Sequence, residues 1–76
     1  MIDLKKLLDV LKASNIPVSR LKREGIIGGA SYDILMRSIR GEGPSEGITL
    51  KSINALCKYL NCQPGDIMEY IPDEEV

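Results

Sequence analysis

The sequence predicts an all-α protein, a bundle of five short helices, and three observations predict it. Leu4, Leu7, Leu8 and Leu11 recur at i, i+3, i+4 and i+7, one face of an α-helix, and Leu50, Ile53, Leu56, Cys57 and Leu60 return to helical spacing further on. The chain is 43% hydrophobic yet holds no Trp or Phe, so its core must come from Leu, Ile and Met, and the β-branched and aromatic runs that build strands are missing. Glycine and proline clusters at "GIIGG" and "GEGPSEG" divide what remains into short pieces.

Each element has its own local signals. Asp3 is a candidate N-cap for a first helix over residues 3–13, and Pro17 ends that run by biasing Ile16 away from helical backbone. Pro17 also suits the first turn of a second helix over 17–24, with Val18 and Leu21 inward and Gly25 as its stop. "GIIGGA" carries three glycines in five positions and reads as a connection. Ser31 then offers a capping hydroxyl to a third helix over 31–40, and "GEGPSEG" reads as a loop. Thr49 caps a fourth helix reaching Leu60. "NCQPGDIMEY" restarts a short fifth, with Pro64 early and Asp66 near the positive end of its dipole. "IPDEEV" is an acidic tail expected to fray from residue 71. Seventy-six residues make a single domain, 1–76, with a marginal core.

Composition excludes several function classes. No apolar run approaches the ~20 residues that span a bilayer, and no signal-peptide core opens the chain, so a soluble, cytoplasmic protein is expected. There is no His, and Cys57 and Cys62 are the two cysteines, so a structural zinc site is short of ligands; both read as small buried hydrophobes. With no nucleophile beside a visible base and no strand ahead of "GIIGG" to make a phosphate-cradling loop, the chain is not expected to be an enzyme, and no cofactor, metal or small-molecule ligand is implied.

The net charge is −1, but it is unevenly spread. Residues 1–40 carry eight Lys or Arg against four acids, a balance of +4, whereas residues 41–76 carry two against seven, a balance of −5. Such asymmetry suits a molecule with one face offered to an anion. The stretch "ASYDILMRSIRGEG", residues 30–43, concentrates the interest: apolar residues at helix spacing stand beside Arg37 and Arg40. An ordinary solvated face would look similar.

The order of helices, and above all "ITLKSINALCKYLNCQPGDIMEYIPDEE" over residues 48–75, resembles the Cro and phage-repressor (XRE-like) helix-turn-helix family, closest to its small stand-alone bacterial members. The resemblance implies a lambda-repressor-like DNA-binding fold, sequence-specific binding of double-stranded DNA, and transcriptional control, usually as a homodimer, with a repressor expected. It departs from the family where "GIIGGAS" and "GEGPSEG" look longer than the usual tight turns.

In this motif the second helix lies in the major groove, where each base pair shows a distinct donor and acceptor pattern. With Met36 and Ile39 as its inward pair, the third helix would present Tyr32, Asp33, Arg37 and Ser38 to the bases, with Leu35 also outward and Ile34 at the edge. Arg37 can fork onto guanine O6 and N7, and Asp33 can accept from a cytosine amino group. Ile34 or Leu35 can meet a thymine methyl, and Tyr32 can donate to a phosphate. Arg40 suits a phosphate clamp, joined by Ser19, Arg20, Thr49 and Lys51 at the first turns of the second and fourth helices. The apolar edge near Tyr59, Ile67, Met68, Tyr70 and Ile71 is the expected dimer seam, with core packing the better account of Ile67. The competing function is a protein-interaction module, antitoxin- or antirepressor-like, in which base reading has been lost.

Overall fold

The structure, a computed structural model, describes residues 1–43 and 45–72. Among these residues the elements run β1 (Ile2–Asp3), α1 (Lys5–Ala13), α2 (Ser19–Arg23), α3 (Gly29–Ile39), α4 (Leu50–Leu60), α5 (Pro64–Ile67) and β2 (Glu69–Tyr70). Five helices in the expected order are therefore present, with two strand stubs that composition did not announce. The stubs pair antiparallel, Ile2 opposite Tyr70 and Asp3 opposite Glu69. The pairing is extended by Ile71 N–H, which donates to Met1 O at 2.8 Å. The tail expected to fray lies, from residue 73 on, outside the described residues.

Leu4, Leu7, Leu11, Leu21, Ile27, Leu35, Ile53, Leu56 and Ile67 form the buried core. Leu21, Leu35 and Ile67 are each 0% exposed, so α2, α3 and α5 all contribute a residue wholly removed from water. Burying one such side chain is worth about 1.5–3 kcal/mol relative to leaving it exposed. Leu50 does not belong to this set. It is 82% exposed, because it holds the first position of α4, where no preceding turn exists for it to lie over.

The helix ends follow one device. Asn15, Gly25, Gly41 and Asn61 all take positive φ, between 52° and 75°, just past α1, α2, α3 and α4. In each case the next residue donates its N–H five residues back: Ile16 to Leu11 O, Ile26 to Leu21 O, Glu42 to Arg37 O, and Cys62 to Cys57 O. This 6→1 closure satisfies carbonyls that the helix leaves without partners and reverses the chain within two residues. Repeated four times, it lets short helices pack on one small core.

Starts are more varied. Asp3 sits in β1 rather than at the helix boundary, but its carboxylate still accepts from Lys5 N–H at 2.7 Å and so serves the first turn of α1. Thr49 caps α4 as expected, accepting from Ser52 N–H at 3.2 Å. Pro64 opens α5, where the Asp66 carboxylate accepts from Gln63 N–H at 2.8 Å. That helix stops at Ile67, four residues long, and Met68 turns into β2 instead of continuing helical.

Candidate nucleic-acid interface

α2 and α3 are joined by residues 24–28, and this connection decides what α3 can present. Gly25, at φ 68°, closes α2, and Ile26 and Ile27 then turn inward, Ile27 to 5% exposure. Gly28 takes extended backbone as the N-cap of α3, with no side-chain cap. Helix three thus begins at Gly29, two residues earlier than the 31–40 span read from sequence. The extended turn over 25–31 is corrected accordingly: Gly29, Ala30 and Ser31 are already helical. The penalty for glycine belongs to helix interiors, and at a first position it is small enough to be carried.

The facing of α3 also differs from the sequence reading. Leu35 is 0% exposed and Ser31 is 8% exposed, so the inward stripe runs through these two, with Ile39 packed beside it. Met36 is only half-buried and lies toward the open side. Ile39 thus shares the inward stripe with Ser31 and Leu35 in place of Met36, because a buried serine fills a position that apolar spacing does not mark. Ser31 is not the N-cap; its Oγ accepts from Ser52 Oγ of α4 at 2.8 Å. That hydrogen bond satisfies a buried hydroxyl and pins α3 against α4.

With Ser31 and Leu35 inward, the opposite face carries exposed Ala30, Asp33, Arg37 and Arg40. Tyr32, Asp33, Met36, Arg37 and Arg40 line one shallow surface hollow. Tyr32 is half-buried and its ring receives Lys22 Nζ at 5.5 Å from the centroid, a cation–π contact that joins α2 to α3. The structure therefore brings Tyr32, Asp33 and Arg37 together. It sets Ile34 and Ser38 apart from them. Ile34 lies under the loop at Gly47, where an added methyl group would come within 3.0 Å of Ile34 Cδ1. Ser38 lies toward Ile2, Asp3 and Lys5 at the β1 end.

The residues read as phosphate contacts fall in two groups. Arg20 is held by Glu24 at 3.3 Å and Arg40 by Glu42 at 3.1 Å, both exposed pairs worth little and readily exchanged for another anion. Thr49 and Lys51 border a hollow that Gly25, Gly28 and Ser31 also line, with Ile26, Ile27, Ser52 and Ala55 completing its walls. The uncapped N-terminus of α3 and the start of α4 thus stand on the same hollow, with a lysine at its rim. Helix N-termini present unpartnered N–H groups and a partial positive charge, which suits them to phosphate. Ser19 is exposed at the start of α2. Among the described residues no three His, Cys, Asp or Glu gather as metal ligands, and no helix is long and apolar enough to cross a membrane.

Ala30 was missed in sequence. It stands exposed in the first turn of α3, where a groove-seated helix meets bases, and it went unread because the helix was begun at Ser31. The usable signal was the 31, 35, 39 spacing, which places Ala30 on the face away from the core.

The profile of the Cro/C1-type HTH DNA-binding domain matches residues 6–73. The chain is 50% identical over 38 residues to the uncharacterized HTH-type transcriptional regulator YozG of Bacillus subtilis (strain 168), a match that takes in 50% of this chain and 45% of that relative. The crystal structure of the transcriptional regulator VanUg, Form II, is similar at a TM-score of 0.75, over 95% of this chain and 87% of that one, with 27% identity.

Proposed function

The chain belongs to the Cro/C1-type helix-turn-helix DNA-binding domain family, and from that premise we propose that it is a sequence-specific transcriptional regulator, a repressor, that seats α3 in the major groove of double-stranded DNA. The observation that carries this reading is the division of α3 into a buried face, Ser31 and Leu35, and an open polar face, Asp33, Arg37 and Arg40. A helix of about 10–12 Å diameter fits a groove about 12 Å wide. Arg37 forks onto a guanine, Asp33 accepts from a cytosine amino group, and Ala30 meets a thymine methyl. A good bidentate base contact gives about 1–3 kcal/mol of discrimination. Tyr32 reaches a phosphate or base edge from the rim. Ile34 and Ser38 keep only lesser roles, since each faces another part of the chain.

Phosphates are held by Lys51 and the N–H groups at the starts of α3 and α4, around the glycine-lined hollow. Arg20 and Arg40 exchange their carboxylate partners for the DNA backbone, and Ser19 supports them. Two copies related by a two-fold axis read half-sites about 34–36 Å apart. Their seam uses Tyr59, Met68, Tyr70 and Ile71; Ile67, at 0% exposure, serves the core and is not part of it. Light scattering across a concentration range checks this, and a mass fixed at one chain refutes it.

A second reading, a protein-interaction module, draws on one observation. Leu50, 82% exposed, stands at the mouth of an apolar groove lined by Ile2, Leu4, Ile48, Ile53 and Met68. The two readings part in one experiment, a salt series of binding to DNA from upstream of the protein's own operon. A regulator prefers one segment and loses affinity steeply as salt rises, through counterion release. Arg37→Ala should erase the preference among segments, and Lys51→Ala should weaken binding to all of them alike. Binding by both variants that matches the parent, or no binding by the parent at any salt, overturns the proposal.

A further inference from the structure

The four helix reversals differ in which side chains they bring together. A 6→1 closure sets the side chain of the donor residue beside that of the acceptor, on one side of the turn. The pairs are Leu11 with Ile16, Leu21 with Ile26, and Arg37 with Glu42. At the fourth reversal both members are cysteines: Cys62 N–H donates to Cys57 O at 3.0 Å, across Asn61 at φ 52°. The first two pairs are apolar residues packed at the core, and at the third Glu42 turns to Arg40 for its ion pair. The fourth sets two thiols together. Cys57 and Cys62 are both free and half-buried against the core. Had the segment continued as helix, the two would have diverged around its axis; the left-handed residue between them makes them meet.

We infer that Cys57 and Cys62 form a dithiol site that closes to an intramolecular disulfide on reaction with a low-molecular-weight disulfide such as oxidised glutathione. A disulfide needs Cα atoms about 4.4–6.8 Å apart with converging Cβ vectors, and the 3.0 Å bond from Cys62 N–H to Cys57 O draws the two backbones together. One cysteine, as thiolate, attacks a sulfur of the small disulfide, forming a mixed disulfide and releasing one small thiolate. The second cysteine gives up its proton and attacks the protein sulfur of that mixed disulfide, releasing the other small thiol. Two protein thiols are oxidised and one small disulfide is reduced to two thiols. Burial pushes the Cys62 thiol up, aided by the neighbouring Cys57 and then by Asp66, so that thiol is held protonated at rest and closure quickens as pH rises. Because Cys62 directly precedes Gln63, the N-cap of α5, the bond would fasten the end of α4 to the start of α5.

The experiment incubates the full chain in mixtures of oxidised and reduced glutathione, quenches with acid and reads the intact mass, in native buffer and again in concentrated urea. The expected product is a single-chain species lighter by two hydrogens, free of glutathione and restored by dithiothreitol. It should form at a lower proportion of oxidised glutathione in native buffer than in urea, because the folded turn presents the thiols to each other. Cys57→Ser and Cys62→Ser should each stop at a glutathione adduct. The inference is overturned if the wild-type chain accumulates glutathione adducts, links to a second chain, stays reduced in oxidised glutathione alone, or closes as readily in urea as in its fold.

Discussion

Ser52 Oγ donates to Ser31 Oγ across 2.8 Å, and this bond between two buried hydroxyls joins α4 to the helix proposed to read DNA. Thr49 Oγ1 in turn donates to Ser52 Oγ at 3.1 Å, so the cap of α4 and the inward face of α3 belong to one short chain of hydroxyls. Removing Ser31 leaves the Ser52 hydroxyl proton without its acceptor, while Thr49 still donates to Ser52. Ser31→Ala should cost about 1–3 kcal/mol, the range for an orphaned buried polar group. The double variant Ser31→Ala with Ser52→Ala should cost less than the two single changes added together, since the bond between the two serines is then lost only once. Urea unfolding of the four proteins measures this coupling; strict additivity would mean that the bond does not hold the helices.

The rotation of α3 makes a second, sharper prediction. Leu35 is fully buried and Met36 lies toward the open hollow, although either could have been the core residue on spacing alone. Leu35→Ala should destabilise by about 2–5 kcal/mol, the usual cost of emptying a core leucine site. Met36→Ala should cost under about 1 kcal/mol, in line with a position outside the core. Denaturant midpoints for the two variants decide it, and the reverse order would mean that Asp33 and Arg37 do not share the exposed face.

What was legible in the sequence was local. Thr49 as a cap and Pro64 as an opener depend on residues within one turn, and both stand as read. The inward stripe of α3 was misread because its first member is a serine, satisfied by a partner 21 residues away that no periodicity reveals. The strand stubs escaped for a related reason. Two residues show no alternation, and Asp3 pairs with Glu69 only because the folded helices bring the ends together. The open polar face was half legible: Asp33 and Arg37 emerged from side-chain chemistry, whereas Ala30 required knowing that the helix starts at Gly29.

Two glycines of the α2–α3 connection should respond oppositely to alanine. Gly25 has φ 68°, where a Cβ is strained whatever the space around it, so Gly25→Ala should destabilise by about 1–2 kcal/mol. Gly29 has helical backbone and open space where its Cβ would point, so Gly29→Ala should stabilise by about 0.4–1 kcal/mol through a less flexible unfolded chain. Thermal unfolding of each variant reads the sign directly. A stabilising Gly25→Ala would contradict the left-handed closure of α2.

Leu50 offers the test that separates a core reading from an interface reading of the start of α4. As a core leucine, which its spacing suggested, it could not accept a charge. As an 82% exposed residue at the first helical position, it can, and a carboxylate there meets the positive end of the helix dipole. Leu50→Glu should therefore leave stability unchanged or raise it by about 0.3–1 kcal/mol. The same carboxylate stands next to Lys51 at the edge of the hollow proposed to hold phosphate, so it should weaken binding to every DNA segment alike and leave the preference among segments intact. Unfolding and DNA titration on one preparation give both answers. A large loss of stability would return Leu50 to the core. Unchanged DNA affinity in a stable variant would instead move the phosphate contacts away from α4.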